Sequence, residues 1–200
     1  MKINSARRAW HDCTYIEARG GLSSLKQRSL LGTAVQMTDK GVTANAAVHG
    51  AIAGWIQSTI AKLHPHVRVF GDFMYAPQRD KRHADDIREA AEEVVFGMVA
   101  SKSPRMTAAK REKLEYVVKG VMRRYRYMHQ GGQSANKDPL ANAEKFRAWL
   151  WGEYGCRLES TNWARDWGTA ERLIFDCCED FDRMALGPVA AVIYQMKKSA

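Results

Sequence analysis

The chain has 200 residues and a mass of 22.6 kDa, enough for one ordinary domain or two small ones. It is 46% hydrophobic and 26% charged, so it can bury enough apolar surface to offset its ordering entropy, and extended disorder is excluded. Its 31 Lys and Arg against 22 Asp and Glu leave a net charge of +9, which favours an acidic partner without choosing among nucleic acid, an acidic protein and an anionic membrane face. No apolar run reaches the roughly 18 residues of a membrane span, and the first twenty residues are too polar for a signal peptide. The four cysteines, Cys13, Cys156, Cys177 and Cys178, form no C-x-x-C pair. They read as small buried side chains in a reducing compartment, and a cytoplasmic location is expected.

Helical periodicity dominates the chain and strand alternation is scarce. The first helix is expected over about 5–19, with Trp10, Cys13 and Ile16 near one face and Gly20-Gly21 ending it. A short helical piece follows over Leu22–Leu31. Thr43 suits the cap of a helix over 44–63, which carries Val48, Ile52, Trp55, Ile56, Ile60 and Leu63 and is stopped by Pro65. Residues 66–77 fit a strand or a buried helical turn, and the lack of a partner strand favours helix or irregular structure. An amphipathic helix is expected over 80–100, with Ile87, Ala91, Val95 and Val99 apolar and Asp85, Asp86, Glu89, Glu92 and Glu93 on an acidic face.

The clearest helix is 107–128, where Leu114, Val117, Val118, Val121, Met122 and Tyr125 recur at spacings of three and four. The polar tract 129–138, with Gly131-Gly132 and no apolar anchor, reads as a linker. Beyond it, 142–154 is an aromatic-rich helix ended by Gly155. A second helix, capped by Thr161 or Asn162, carries Trp163 through Phe181. A third, short helix follows a turn at Gly187-Pro188. The expected fold is mainly α: about seven helices, with a larger bundle over 1–130, a linker over 131–138 and a small Trp-rich helical part over 139–200.

The charge is uneven. Residues 1–82 carry net +7, 83–101 net −4, 102–126 net +7, and 127–200 net −1. In the third segment Lys119, Arg123 and Arg126 share a helix face, Arg124 lies at its edge, Arg105 and Arg111 flank it, and Tyr125 and Tyr127 are interleaved. Such a stripe can neutralise phosphates, and arginine also stacks on unpaired bases. The same residues can equally form a solvated face or meet an acidic protein. A second basic group, Arg7, Arg8, Arg19, Lys26 and Arg28, extends the positive character.

Chemistry is sparse. There is no Walker A loop, dinucleotide fingerprint, H-E-x-x-H or G-x-S-x-G. Metal ligation needs several placed ligands, and His64-x-His66, His11-x-Cys13 and Cys177-Cys178 complete no zinc pattern, so capping or hydrogen-bonded histidines are the simpler reading. Asp176, Glu179, Asp180 and Asp182 can in principle hold Mg²⁺ for phosphodiester hydrolysis. They look first like a polar helix face paired with Arg172 and Arg183. No catalytic residue, cofactor or metal is expected. Trp149 and Trp151 stand about 200° apart on one helix and cannot both face one core, which makes them candidates for contact with a partner.

The pattern FRAWLWGEYG, NWARDW and FDRMALGPVAAVI, about a quarter of the chain, resembles bacteriophage late-gene regulators of the Q antiterminator type. The cysteine-rich zinc insertion of one branch of those proteins is missing. The resemblance implies binding to promoter DNA and to RNA polymerase, and it transfers no individual residue. Together these readings give a nucleic-acid-binding regulator, DNA more than RNA, that contacts phosphates through Arg105, Arg111, Lys119, Arg123, Arg124 and Arg126. The second reading is a non-catalytic inhibitor or adaptor of a host protein complex.

Overall fold

The computed structural model describes residues 5–18, 40–77, 80–103, 106–129, 140–159 and 162–198, and for 15–18 and 40–47 the backbone alone. Among the described residues the protein is built of helices with no strand. In chain order they are α1 (Ala6–Ala18), α2 (Lys40–Ala61), α3 (Pro65–Tyr75), α4 (Lys81–Lys102), α5 (Ala108–His129), α6 (Ala143–Tyr154), α7 (Trp163–Asp166) and α8 (Gly168–Lys198). The expected mainly α fold is what the chain adopts, with eight helices among the described residues. The expected piece over Leu22–Leu31 and the linker 131–138 lie outside them. No helix among the described residues is long and apolar enough to cross a membrane.

The chain divides into two compact units, 1–84 with 184–200, and 85–183. α5 and α6, which flank the expected linker, both fall in the second unit and pack together there. A glycine makes that approach possible. A methyl at Gly120 would overlap the ring of Phe146, which is 2% exposed.

In the first unit α1 packs on α2 and α3. Trp10 is fully buried and donates from its indole N–H to Asp72 Oδ1 at 3.1 Å. Its ring lies so close to α3 that a Cβ at Gly71 would stand 2.5 Å from Cζ2. Gln57 on α2 donates to the Cys13 carbonyl at 2.9 Å, tying α2 to α1. Ile56, Ile60, Phe70 and Met74 are buried in the same unit.

Several boundaries differ from expectation for local reasons. α2 begins at Lys40, so Thr43 lies inside the helix and not at its cap. Propagation adds a hydrogen bond per residue, which outweighs the roughly 0.5–1 kcal/mol propensity costs of Gly41, Val42 and Thr43. It ends at Ala61 in a tightened turn (Leu63 N–H to Ile60 carbonyl, 3.1 Å), because the residue before Pro65 is pushed out of the helical region. His64 takes the cap position instead, its Nδ1 accepting from the His66 N–H at 3.3 Å, and Pro65 starts α3. The segment 66–77 is therefore helical.

The helix expected over Trp163–Phe181 is interrupted at Trp167, whose buried ring leaves the helical path (φ −128°) before Gly168 opens α8. The turn expected at Gly187-Pro188 is absent, and α8 runs through it to Lys198. Pro188 forfeits one backbone hydrogen bond. Gly187 and Pro188 face solvent, while Ala185, Val189 and Ile193 are buried at a spacing of four, and that burial offsets the loss. Asn142 caps α6 by accepting from the Glu144 N–H at 2.8 Å, and Gly155 closes it in the left-handed region at φ 63°.

Candidate nucleic-acid interface

α5 carries the basic stripe, and the second unit sorts its members into different surroundings. Arg124 is not available to a partner. Its guanidinium pairs with Glu171 on α8 and covers the ring of Phe175 at 5.3 Å. Glu171 also accepts from the Trp163 indole N–H at 2.8 Å, so the pair is held from both sides. Arg126 is half-buried, and burial together with the nearby Arg88 charge holds its pKa below the ordinary arginine value. Arg111 is exposed. Arg105 lies outside the described residues. Tyr125 belongs to the core and not to the stripe: it is 1% exposed and stacks on His129 at 4.2 Å.

Lys119 and Arg123 remain on the side of α5 that meets α6, and aromatic rings surround both. Arg123 is exposed, with its guanidinium 5.1 Å above the Trp149 ring. Lys119 sits 5.5 Å from the Tyr116 ring and 5.3 Å from the Tyr154 ring. The rings touch one another: Tyr116 lies 5.6 Å from Tyr154, and Trp149 meets Tyr154 edge-on at 5.5 Å. Each cation over a ring face adds about 0.5–1 kcal/mol at such exposure and holds the long side chain in place. The indole N–H of Trp149 is shut from water and has no acceptor among the described residues. Trp151, on the other side of α6, is 58% exposed. The two tryptophans thus part company, as their angular separation requires.

Carboxylates lie beneath and beside this surface. Glu115 pairs with Lys119 at 3.0 Å. Burial works against the Lys119 charge, but the hydrogen bond and charge of Glu115, with Glu92, carry its pKa above the ordinary lysine value. Glu92 on α4 is 7% exposed, and Arg88 lies 3.7 Å away. Desolvation dominates there and raises the Glu92 carboxyl to about 7, against the opposing pull of Arg88 and Lys119. Tyr154 is raised as well, by burial and then by the Glu92 charge.

The Glu92 shift predicts a pH dependence. Between about pH 4.5 and 7 this carboxyl keeps its proton in the native protein and loses it in the unfolded chain. The native state binds the extra proton, so stability falls as pH rises through that window. Glu92→Gln is expected to flatten this slope and to raise stability at pH 8 by about 1–2 kcal/mol, the full shift being trimmed by partial solvent contact. Urea denaturation at pH 5 and pH 8 checks it, and an unaltered slope in the variant means another group sets it.

Elsewhere the candidate sites resolve differently. In the first unit Arg7 lies 5.9 Å from the Tyr75 ring and Arg8 pairs with Asp12 at 3.6 Å, while Arg19, Lys26 and Arg28 lie outside the described residues. Asp176, Glu179 and Asp180 are exposed on α8 and Asp182 is buried; Arg183 pairs with Asp180 at 3.5 Å. Arg172 turns to the Gly168 carbonyl. No three His, Cys, Asp or Glu side chains converge among the described residues. All four cysteines are buried thiols outside any disulfide, and burial pushes the thiol pKa of Cys156, Cys177 and Cys178 up.

Sequence reasoning missed Tyr116 and Tyr154 as members of the surface. Tyr116 is three residues before Lys119, a visible same-face signal. Tyr154 arrives from α6, and only the helix pairing brings it there. The chain matches no family model, no curated protein and no solved structure.

Proposed function

We propose that this protein is a non-catalytic, nucleic-acid-binding regulator that acts in the cytoplasm and meets its ligand on the α5–α6 face. The observation that carries the reading is the exposed Arg123 guanidinium over Trp149, beside Lys119 on Tyr116 and Tyr154. Cations placed among aromatic rings suit a polyanion whose bases offer flat faces. Arg111, exposed three turns earlier on the same helix, adds a further phosphate contact. Arg124 is left out of the binding set because Glu171 already holds it. Promoter DNA is the proposed ligand, in keeping with the late-gene-regulator resemblance, and RNA polymerase the accompanying protein.

Fluorescence anisotropy with labelled duplex DNA and single-stranded RNA, each at two salt concentrations, tests this. The double variant Arg111→Glu with Arg123→Glu is expected to weaken binding about tenfold or more across all sequences and to lower the salt slope by about two. Equal affinity and slope in the variant remove the assignment.

A second reading rests on Trp151, an exposed indole on α6. Large exposed aromatics are common anchors in protein interfaces. In that reading the protein is an adaptor or inhibitor of a host complex. A stoichiometric partner that survives nuclease treatment and is lost in Trp151→Ala supports it.

A further inference from the structure

The second unit holds a cavity of about 630 Å³ away from the α5–α6 face, between the end of α4, the start of α5 and the α7–α8 junction. Its polar lining is lopsided. Lys102, Lys110 and Arg165 contribute cations, and Ser103, Thr107 and Thr169 contribute hydroxyls. The one acid in the lining is Asp166, and Arg165 already engages both its oxygens at 2.7 and 3.3 Å.

Neither lysine pairs with a carboxylate among the described residues, where Asp166 is taken by Arg165. The Lys102 ammonium donates to the Cys177 Sγ at 3.7 Å, a weak and neutral acceptor. Lys110 lies 5.1 Å from the ring of Trp167. Two ammonium groups held in one cavity against a thiol and a π-face leave positive potential unbalanced. The first turn of α5, capped by Thr107, adds to it. The remaining wall is apolar, made by Met106, Ala170 and Leu173. A bare inorganic anion fills only a small part of this volume, and the apolar wall suits a ring or chain attached to it.

We infer that this cavity binds an organic phosphate monoester, its phosphoryl oxygens on Lys102, Lys110 and the neighbouring hydroxyls and its apolar part on Met106, Ala170 and Leu173. The chemistry is met by a free mononucleotide or by the 5′-phosphorylated end of a strand. The inference uses none of the residues of the proposed α5–α6 interface and stands or falls apart from it.

Isothermal titration with AMP, adenosine and inorganic phosphate tests it, alongside anisotropy with a 5′-phosphorylated and a 5′-hydroxyl oligonucleotide. Binding of AMP at least about tenfold tighter than adenosine is expected, since charged hydrogen bonds to the phosphoryl group carry the difference. The double variant Lys102→Ala with Lys110→Ala is expected to lose that preference. Both lysines are at least partly exposed, and a thermal melt verifies that the variant folds. The Arg111→Glu with Arg123→Glu protein is expected to keep AMP binding, which separates the two sites. A preference for the 5′-phosphorylated strand over AMP, lost in the lysine variant, assigns the ligand to strand ends. The reverse preference assigns it to free nucleotide. If neither AMP nor the 5′-phosphate shows a preference that depends on Lys102 and Lys110, the inference is overturned.

Discussion

Trp10→Ala is expected to destabilise the first unit by about 4 kcal/mol, the scale of emptying a fully buried aromatic site. Trp10 is the largest fully buried side chain in the protein, and its ring fills the space that Gly71 leaves on α3. Its edge meets Tyr75 at 6.3 Å and its N–H meets Asp72. Alanine removes the ring, opens a void between α1 and α3, and leaves Asp72 without that donor. Such a loss is a large fraction of the roughly 5–15 kcal/mol that holds a typical domain. Urea denaturation followed by circular dichroism reads it. Trp10→Phe separates the terms: it retains most of the packing and gives up the indole donor, at about 1–2 kcal/mol. Equal costs in the two variants would show that the hydrogen bond, not the volume, holds α1 in place.

Gly120→Ala has the next largest expected effect. Alanine normally improves a helix interior by about 1 kcal/mol over glycine. Here the added methyl would overlap Cζ of Phe146, stand 2.7 Å from Cε2, and come within 3.2 Å of Trp149 Cζ3. Phe146 cannot retreat, because it is 2% exposed and packed edge-on against Trp163 at 5.4 Å. Overpacking of this kind costs about 1–3 kcal/mol, so steric conflict outweighs propensity and a net loss of about 2 kcal/mol is expected. Gly97 on α4 is the control. Nothing lies within 4 Å of a methyl there, so Gly97→Ala is expected to stabilise by up to about 1 kcal/mol. Thermal unfolding of the two variants checks the opposite signs. Since Gly120 sets how closely α6, with Trp149, approaches Arg123, its variant is also expected to weaken nucleic-acid binding while Gly97→Ala leaves it unchanged.

The pH response of Glu92 and the role of Arg123 belong to the same face, and they can be told apart. Glu92 acts through its burial and is read as a slope of stability against pH. Arg123 acts through its exposed charge and is read as a slope of affinity against salt.

Periodicity was sufficient for most of the architecture. The spacing of Leu114, Val117, Val118, Val121 and Met122 marks α5 to within a residue, and these side chains are its buried face. Gly155 announces its cap, and Asn162 does so as one of two candidates with Thr161, because each supplies a backbone or side-chain geometry that few residues can, whereas Asn142, expected as the first residue of its helix, stands one place outside it as the cap. Local rules did less well where burial competes with them. Pro188 reads as a turn, yet the buried positions around it carry α8 through. Trp167 reads as mid-helix, yet the helix breaks there and its ring is buried.

The candidate site was half legible. The helical class, the excess of cations in 102–126 and the opposed directions of Trp149 and Trp151 are all readable from residue order, because composition and the 100° step of a helix need no tertiary contact. Which cations are spent inside and which remain outward depends on long-range packing. Arg124 and Arg123 are neighbours in the chain, but Glu171, 47 positions away from Arg124, claims the one while Trp149 supports the other. The cavity of Lys102 and Lys110 has the same origin: folding sets the two ammonium groups around one space, where their fields add and the one carboxylate in the lining, Asp166, is already held by Arg165.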